Sequence, residues 1–122
     1  MRRDDLYLVE LVEATRTVGR YLSGVDSERW ASDDVLRDAV LHRVILIGEM
    51  ARSVSDEVRE RHPEIPWAAM RAFRNRAIHE YFSVEWGRVL EIASADVPAL
   101  EPLVLVVLQQ EFPDVARQLE ER

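Results

Sequence analysis

Leu36, Val40, Val44, Ile47, Ala51, Val54 and Val58 recur at spacings of three and four, and Leu41, Ile45, Leu46 and Met50 add apolar surface on other sides of the same stretch. A helix that is apolar over most of its girth has to be enclosed by neighbours, so this segment fixes the centre of whatever the chain builds. Ser32, followed by Asp33 and Asp34, is the expected cap, and the pattern predicts one helix running to about Arg61. Gly48 lies inside it. A mid-helix glycine costs ~1 kcal/mol relative to alanine, so Gly48 is expected at a close helix crossing or a small kink.

The remaining segments read the same way. Leu8, Leu11, Thr15, Val18 and Leu22 share one helical face, with Asp4 and Asp5 at its positive end and Gly24 closing it. His62 to Trp67, with Pro63 and Pro66, is a rigid turn. A third helix follows, carrying Met70, Phe73 and Ala77 and ending near His79 to Phe82. Ser83 is expected to cap a fourth helix with Trp86, Val89, Leu90 and Ala93 on its apolar face. Asp96 with Pro98 is expected to open a fifth. The run Leu103 to Leu108 is rich in β-branched residues but has no second strand to pair with, so it reads as buried helix. Pro113 and Asp114 start a short terminal helix with Val115 and Leu119. No repeat or linker divides the chain. The expectation is a single domain over residues 1–122, an all-α compact bundle of four to six helices.

Composition narrows the setting. The chain has no cysteine, which removes disulfides and thiolate metal sites and fits a reducing interior. The N-terminus, Met1-Arg2-Arg3-Asp4-Asp5-Leu6, lacks the apolar core of a leader, and the Leu103 to Leu108 run is far too short to span a bilayer. A cytoplasmic protein without a membrane segment is expected. A net charge of −7 argues against a general nucleic-acid coat protein, though not against a nuclease with one local basic cleft. All sixteen basic residues are arginine, which reads as genome composition.

Polar chemistry concentrates in Phe73-Arg74-Asn75-Arg76-Ala77-Ile78-His79-Glu80-Tyr81-Phe82, which holds the only asparagine in the chain. Asn75 and His79 are four apart and share a helix face; Arg74 lies on the neighbouring row. If the helix end borders a cleft, Arg74, Asn75 and His79 could converge on a phosphate, with Tyr81 swinging toward the same place. His79 could move a proton to or from a ribose oxygen, and Arg74 could offset charge on a phosphodiester as it is cleaved without metal. One histidine per subunit supplies one proton-transfer group, and a second subunit across a two-fold axis would supply another. A purely structural reading stands beside this one. Arg74 could pair with Glu49 or Glu80, Asn75 could cap a neighbouring helix, and His79 could simply end its own helix favourably. Glu49, on the apolar central helix, needs a partner if buried, and Arg74 is the candidate. His42 and His62 match no metal-ligand spacing with His79. Trp67 and Trp86 read as core anchors at helix starts. Arg43 and Arg52 read as solvated helix charges.

Arg74-x-x-x-x-His79-x-Tyr81 resembles the Arg-x4-His-x-Tyr signature of the HepT-like branch of the HEPN superfamily. Asp38-Ala39-Val40, Ile47-Gly48-Glu49, Pro63-Glu64-Ile65-Pro66-Trp67, Arg74-Asn75 and Asp96-Val97-Pro98-Ala99-Leu100 also fall in the order of that branch, so the resemblance covers nearly the whole chain. An aromatic usually found as Phe before the second helix is Trp30 here. The resemblance implies a HEPN-like helical bundle that forms a homodimer with a shared cleft. It also implies a metal-independent RNA endonuclease acting as the toxin of a toxin–antitoxin pair, with no cofactor. On this resemblance Arg74 and His79 are the catalytic pair, acting on an RNA substrate, and Asn75 and Glu49 are accessory. A nucleotidyltransferase-fold antitoxin is the implied partner, neutralising the toxin by transferring AMP to Tyr81. The alternative is a non-catalytic nucleotide- or protein-binding module that partners such a nucleotidyltransferase.

Overall fold

The computed structural model describes residues 3–122. Met1 and Arg2, the start of the segment read above for the absence of a leader, lie outside the described residues. Four principal helices follow one another around the bundle. The first, α1 (Asp4–Leu22), packs on the central helix α3 (Asp34–Ser53), which packs in turn on α5 (Trp67–His79). On its other side α1 packs on α7 (Val97–Glu111). The order α7, α1, α3, α5 therefore puts α3 between two partners, as its apolar girth requires. Leu8, Leu11, Val12 and Val18 of α1 and Val40, Leu41 and Ile47 of α3 are almost wholly buried. A terminal helix, α8 (Pro113–Glu120), folds back on α7 with Leu119 in the core.

Four boundaries differ from the expectation. Ser32 does not cap the central helix. It ends a short helix, α2 (Ser27–Ser32), where its hydroxyl donates back to Glu28 O at 3.0 Å, and Asp33 caps α3 by accepting from Leu36 N at 3.0 Å. The central helix also stops before Arg61. Val54 is extended, and Ser55 caps a separate helix α4 (Asp56–Arg61), accepting from Val58 N at 3.3 Å. Asp4 stabilises the break from a distance by accepting from Ser55 N at 2.9 Å. Arg59 reaches back to donate to Ala51 O and Arg52 O in the last turn of α3 and to Val54 O just beyond it at 2.6 Å. Val58 stays buried across the break, so the apolar stripe gave no sign of it.

The third and fourth differences lie further on. Ser83 caps nothing: it closes a 3₁₀ turn (Tyr81–Ser83) by donating to Glu80 O, and α6 starts at Trp86 (Trp86–Glu91). Asp96 with Pro98 does not open a new helix either. The chain runs from α6 into α7 through a π-helical turn (Ile92–Asp96), where Val97 N donates to Ile92 O. Pro98 has no N–H, and its ring would crowd the carbonyl one α-turn back. The widened turn absorbs that misfit without ending the helix. Five long helical stretches thus make the bundle, with α6 and α7 counted as one, and α2 and α4 are short pieces between them.

Gly48 sits at the α3–α5 crossing. A Cβ added there would lie 2.5 Å from Arg74 Cβ and 2.6 Å from Met70 O, so only glycine admits α5 at this distance. Gly24, at φ +73°, closes α1 in the left-handed conformation that glycine adopts without strain. Trp30 is buried, its indole N–H donates to Trp86 O at 3.0 Å, and Arg37 stacks over the Trp86 ring at 5.3 Å, joining α2 and α3 to α6. At the far end, buried His62 meets Glu111 at 2.8 Å, and Arg61 grips the same carboxylate through two bonds of 2.8 and 2.7 Å.

Gly48→Ala should destabilise the fold by about 1–3 kcal/mol, because a backbone carbonyl has to yield. Gly19→Ala, where an added Cβ meets nothing within 4 Å, should gain up to about 1 kcal/mol; urea unfolding of both variants checks the pair. Arg61 first, and then His62, hold the Glu111 carboxyl down to about 2 from its usual 4.5. Because the folded form is the more acidic one, this contribution is present above pH 4.5 and is lost as pH falls toward 2. Glu111→Gln should therefore cost about 1–2 kcal/mol at neutral pH after allowance for solvent screening. The gap between variant and parent should narrow across that acid window when unfolding is followed against pH.

Candidate active site

The site is built on α5 where it crosses Gly48. With no side chain at Gly48, the Arg74 Cβ comes down onto α3, and its guanidinium meets Glu49, the next residue along that helix. Arg74 Nε lies 2.7 Å from Glu49 Oε2. The approach is out of line for a hydrogen bond, so the buried Nε–H is held by charge rather than by a directed bond. On its other side Arg74 Nη1 donates to Asn75 Oδ1 at 2.9 Å. Glu49 is also 3.6 Å from Arg52, so one carboxylate stands between two arginines. Of the pairings the sequence left open, Arg74 takes Glu49 and not Glu80. Asn75 serves its neighbouring arginine instead of capping another helix.

His79 is the last residue of α5, one turn beyond Asn75 on the same face, and it is exposed. Among the described residues no side chain engages its ring. Helix α5 ends there because Glu80 leaves the helical conformation, and the chain tightens into the 3₁₀ turn that carries Tyr81 and Phe82. Tyr81 is half exposed and meets Phe82 edge to face at 6.0 Å; Phe82 is fully exposed. Glu49, Arg74 and Asn75 are thus joined by contact. His79 and Tyr81 follow along the same helix end without touching them. The helix end thus carries a fixed guanidinium, an amide and an exposed imidazole, with Asn75 and His79 on one face and Arg74 on the neighbouring row.

The other residues weighed fall into place as structure. His42 is exposed on α3. His62 is buried in the Glu111 cluster, with Glu64 also 3.4 Å from its ring. Trp67 is buried and donates to His62 O at 2.9 Å, while Trp86 is half-buried against Trp30. Among the described residues no group of three or more His, Cys, Asp or Glu side chains could hold a metal ion, and no helix is long and apolar enough to cross a membrane. Sequence reasoning missed a cleft of about 850 Å³ behind the motif, between α5 and the continuous α6–α7 helix. Its walls come from segments far apart in the chain, and no local pattern announces it.

A family model described as ribonuclease HepT-like matches residues 11–107. The chain belongs to the HepT-like ribonuclease family. Glu49, Arg74, Asn75, His79 and Tyr81 all fall inside the matched span. A Caldanaerobacter subterraneus protein named "Putative RNase" is 30% identical over 105 residues, covering 86% of this chain and 94% of the relative. A Methanocaldococcus jannaschii protein with the same description is 29% identical over 101 residues, covering 83% and 93%. A Thermococcus cleftensis protein named "Probable ribonuclease HepT" is 28% identical over 95 residues, covering 78% and 86%. No solved structure matches the chain. The all-helical bundle agrees with the HepT-like fold the resemblance implied.

The contact between Glu49 and Arg74 makes a thermodynamic prediction that does not depend on activity. A double-mutant cycle of Glu49→Gln and Arg74→Met, read by urea unfolding, should give a coupling of about 0.5–1 kcal/mol for this half-buried pair. A coupling of zero would mean that the pair does not hold the arginine.

Proposed function

We propose that this HepT-like chain is a metal-independent RNA endonuclease and the toxin of a toxin–antitoxin pair. The observation that carries the reading is Arg74. It is clamped between Glu49 and Asn75 at the Gly48 crossing, five residues before an exposed and unengaged histidine. A guanidinium whose position is fixed in advance needs no reorganisation when charge builds on a phosphate.

In the proposed reaction His79 removes the proton from a ribose 2′-hydroxyl, and the 2′-oxygen attacks the adjacent phosphorus. The bond to the 5′-oxygen breaks, and that oxygen takes up a proton. The products are a 2′,3′-cyclic phosphate and a 5′-hydroxyl end. Arg74 stabilises the charge on the non-bridging oxygens, Asn75 orients the phosphate or the imidazole, and Glu49 fixes the Arg74 rotamer. A second copy in a homodimer supplies the second proton-transfer group. A nucleotidyltransferase-fold antitoxin silences the site by moving AMP from a nucleoside triphosphate to the Tyr81 hydroxyl, with pyrophosphate leaving. The half-exposed phenol of Tyr81 suits an acceptor.

One observation favours a second reading, a binding module without catalysis. The acidic balance of −7 is unlike that of an RNA-cutting surface, and Glu49 already neutralises Arg74. The two readings part on a single assay. Purified protein in EDTA should cut RNA and leave cyclic phosphate ends, and His79→Ala or Arg74→Ala should each slow cleavage by about 100-fold or more. Equal cleavage by His79→Ala, or none by the parent, rules out the nuclease reading. Intact mass after co-expression with the neighbouring gene product should rise by one AMP, and Tyr81→Phe should abolish the increase.

A further inference from the structure

The chain carries 23 Asp and Glu against 16 arginines, and nearly every arginine is answered from within. Among the described residues only Arg43, Arg71 and Arg76 have a side chain that makes neither an ion pair nor a hydrogen bond. Where carboxylates outnumber guanidiniums, a cation left without a partner is open to an anion from outside. The three stand in different places. Arg43 lies about 140° around α3 from Gly48, and so away from α5. Arg76 lines the cleft of about 850 Å³. Arg71 alone stands with the motif, because residues 71, 75 and 79 form one row along α5 at steps of four. It is half-buried, and it also lines a shallow hollow of about 540 Å³ at the start of that helix. Pro63, Pro66 and Trp67 give the hollow an apolar wall. Of its two carboxylates, Asp56 is paired with Arg59, and Glu60 makes no bond to Arg71.

We infer that Arg71 holds the RNA phosphate immediately 3′ of the one that is cut, with the leaving nucleotide lying between them. This assignment rests on the nuclease reading above and gives the strand a direction. Along α5 the order is Arg71, then Arg74 with Asn75, then His79. With His79 taking the proton of a 2′-hydroxyl, the ribose that bears it lies at the His79 end. The 3′-phosphate of that ribose is the scissile one, and it lies at Arg74 and Asn75. The leaving 5′-oxygen then belongs to a nucleotide that continues toward Arg71, and the next phosphate is that nucleotide's own 3′-phosphate. The reach agrees. One helical turn, about 5.4 Å of rise, separates Arg71 from Asn75, close to the step between successive phosphates of an extended strand. A guanidinium suits the contact because its fork meets two phosphate oxygens at once. The hollow beside Arg71 offers its apolar wall to the base that follows. The arginine itself reads only the backbone, so it sets register along the strand and adds no base preference.

The test uses the full chain and a fluorescent trinucleotide with 2′-deoxyribose at its first two positions, so that neither linkage can be cut. Each of the two phosphates is replaced in turn by a neutral methylphosphonate, and binding is followed by anisotropy at low salt. Arg71→Gln should weaken binding of the fully charged strand by about 10-fold. The same loss should persist when the first linkage is neutral and vanish when the second is. Arg74→Met should show the converse, its loss vanishing only when the first linkage is neutral. Arg43→Gln should change no affinity. A purely structural Arg71 would weaken all three strands alike, and that result overturns the inference. So does a loss tied to the first linkage, or a parent chain that binds none of the strands. Cleavage of the all-ribose strand in EDTA separates the claims. Couplings in the expected order without cleavage count against the nuclease reading alone. Cleavage that Arg71→Gln slows equally with and without the second charge counts against Arg71 alone.

Discussion

At Gly48 the backbone of α3 and the Arg74 side chain of α5 come within a distance that leaves no room for even a methyl group. This approach sets the height of α5 on the central helix, and everything chemical follows from that height. Arg74 reaches Glu49 because its Cβ rests where a side chain would otherwise stand. Asn75 then lies beside the guanidinium, and His79 emerges one turn later at the helix end. A bulkier residue at Gly48 would lift the helix and loosen the clamp together, so fold and site share one steric constraint.

The opposite flank of α5 is packed differently. Helix α5 is drawn tightly onto α3, while the seam between it and α6–α7 stays open. The π-helical turn at Ile92–Asp96 contributes to the far wall, because it lets the helix continue past Pro98 instead of breaking and folding inward. The bundle is therefore well packed along three of its helix contacts and unfinished along the fourth, next to a fully exposed Phe82. A chain of this length has little spare apolar area, so leaving such a seam uncovered works against stability unless something fills it.

Much of this was legible in the sequence because helical periodicity is a local signal. The central stripe from Leu36, the faces of α1, α5 and α8, and the buried run from Leu103 to Leu108 all appear where spacing puts them. Gly48 was readable as a close crossing, and Glu49 as a partner for Arg74, since a carboxylate on an apolar helix has few alternatives. What escaped depends on residues distant in sequence. The break at Val54 is stabilised by Asp4, more than fifty positions upstream, and the apolar phase runs through it unchanged. Ser32, Ser83 and Asp96 all look like helix caps locally. The first two hydroxyls bond backward to a carbonyl of the preceding turn, and Asp96 sits within a continuous helix. The seam is invisible in one dimension because its walls come from α5 and α6–α7.

The central claim is that a ribose hydroxyl, deprotonated at His79 beside a pre-positioned Arg74, is the attacking group. The most direct measurement compares two end-labelled strands incubated with the purified chain. One is all RNA, and the other carries a single 2′-deoxyribose immediately 5′ to the mapped scissile phosphate. The account predicts cleavage of the first strand and none at that position in the second. Cleavage of both strands at that position, or of neither, would contradict it.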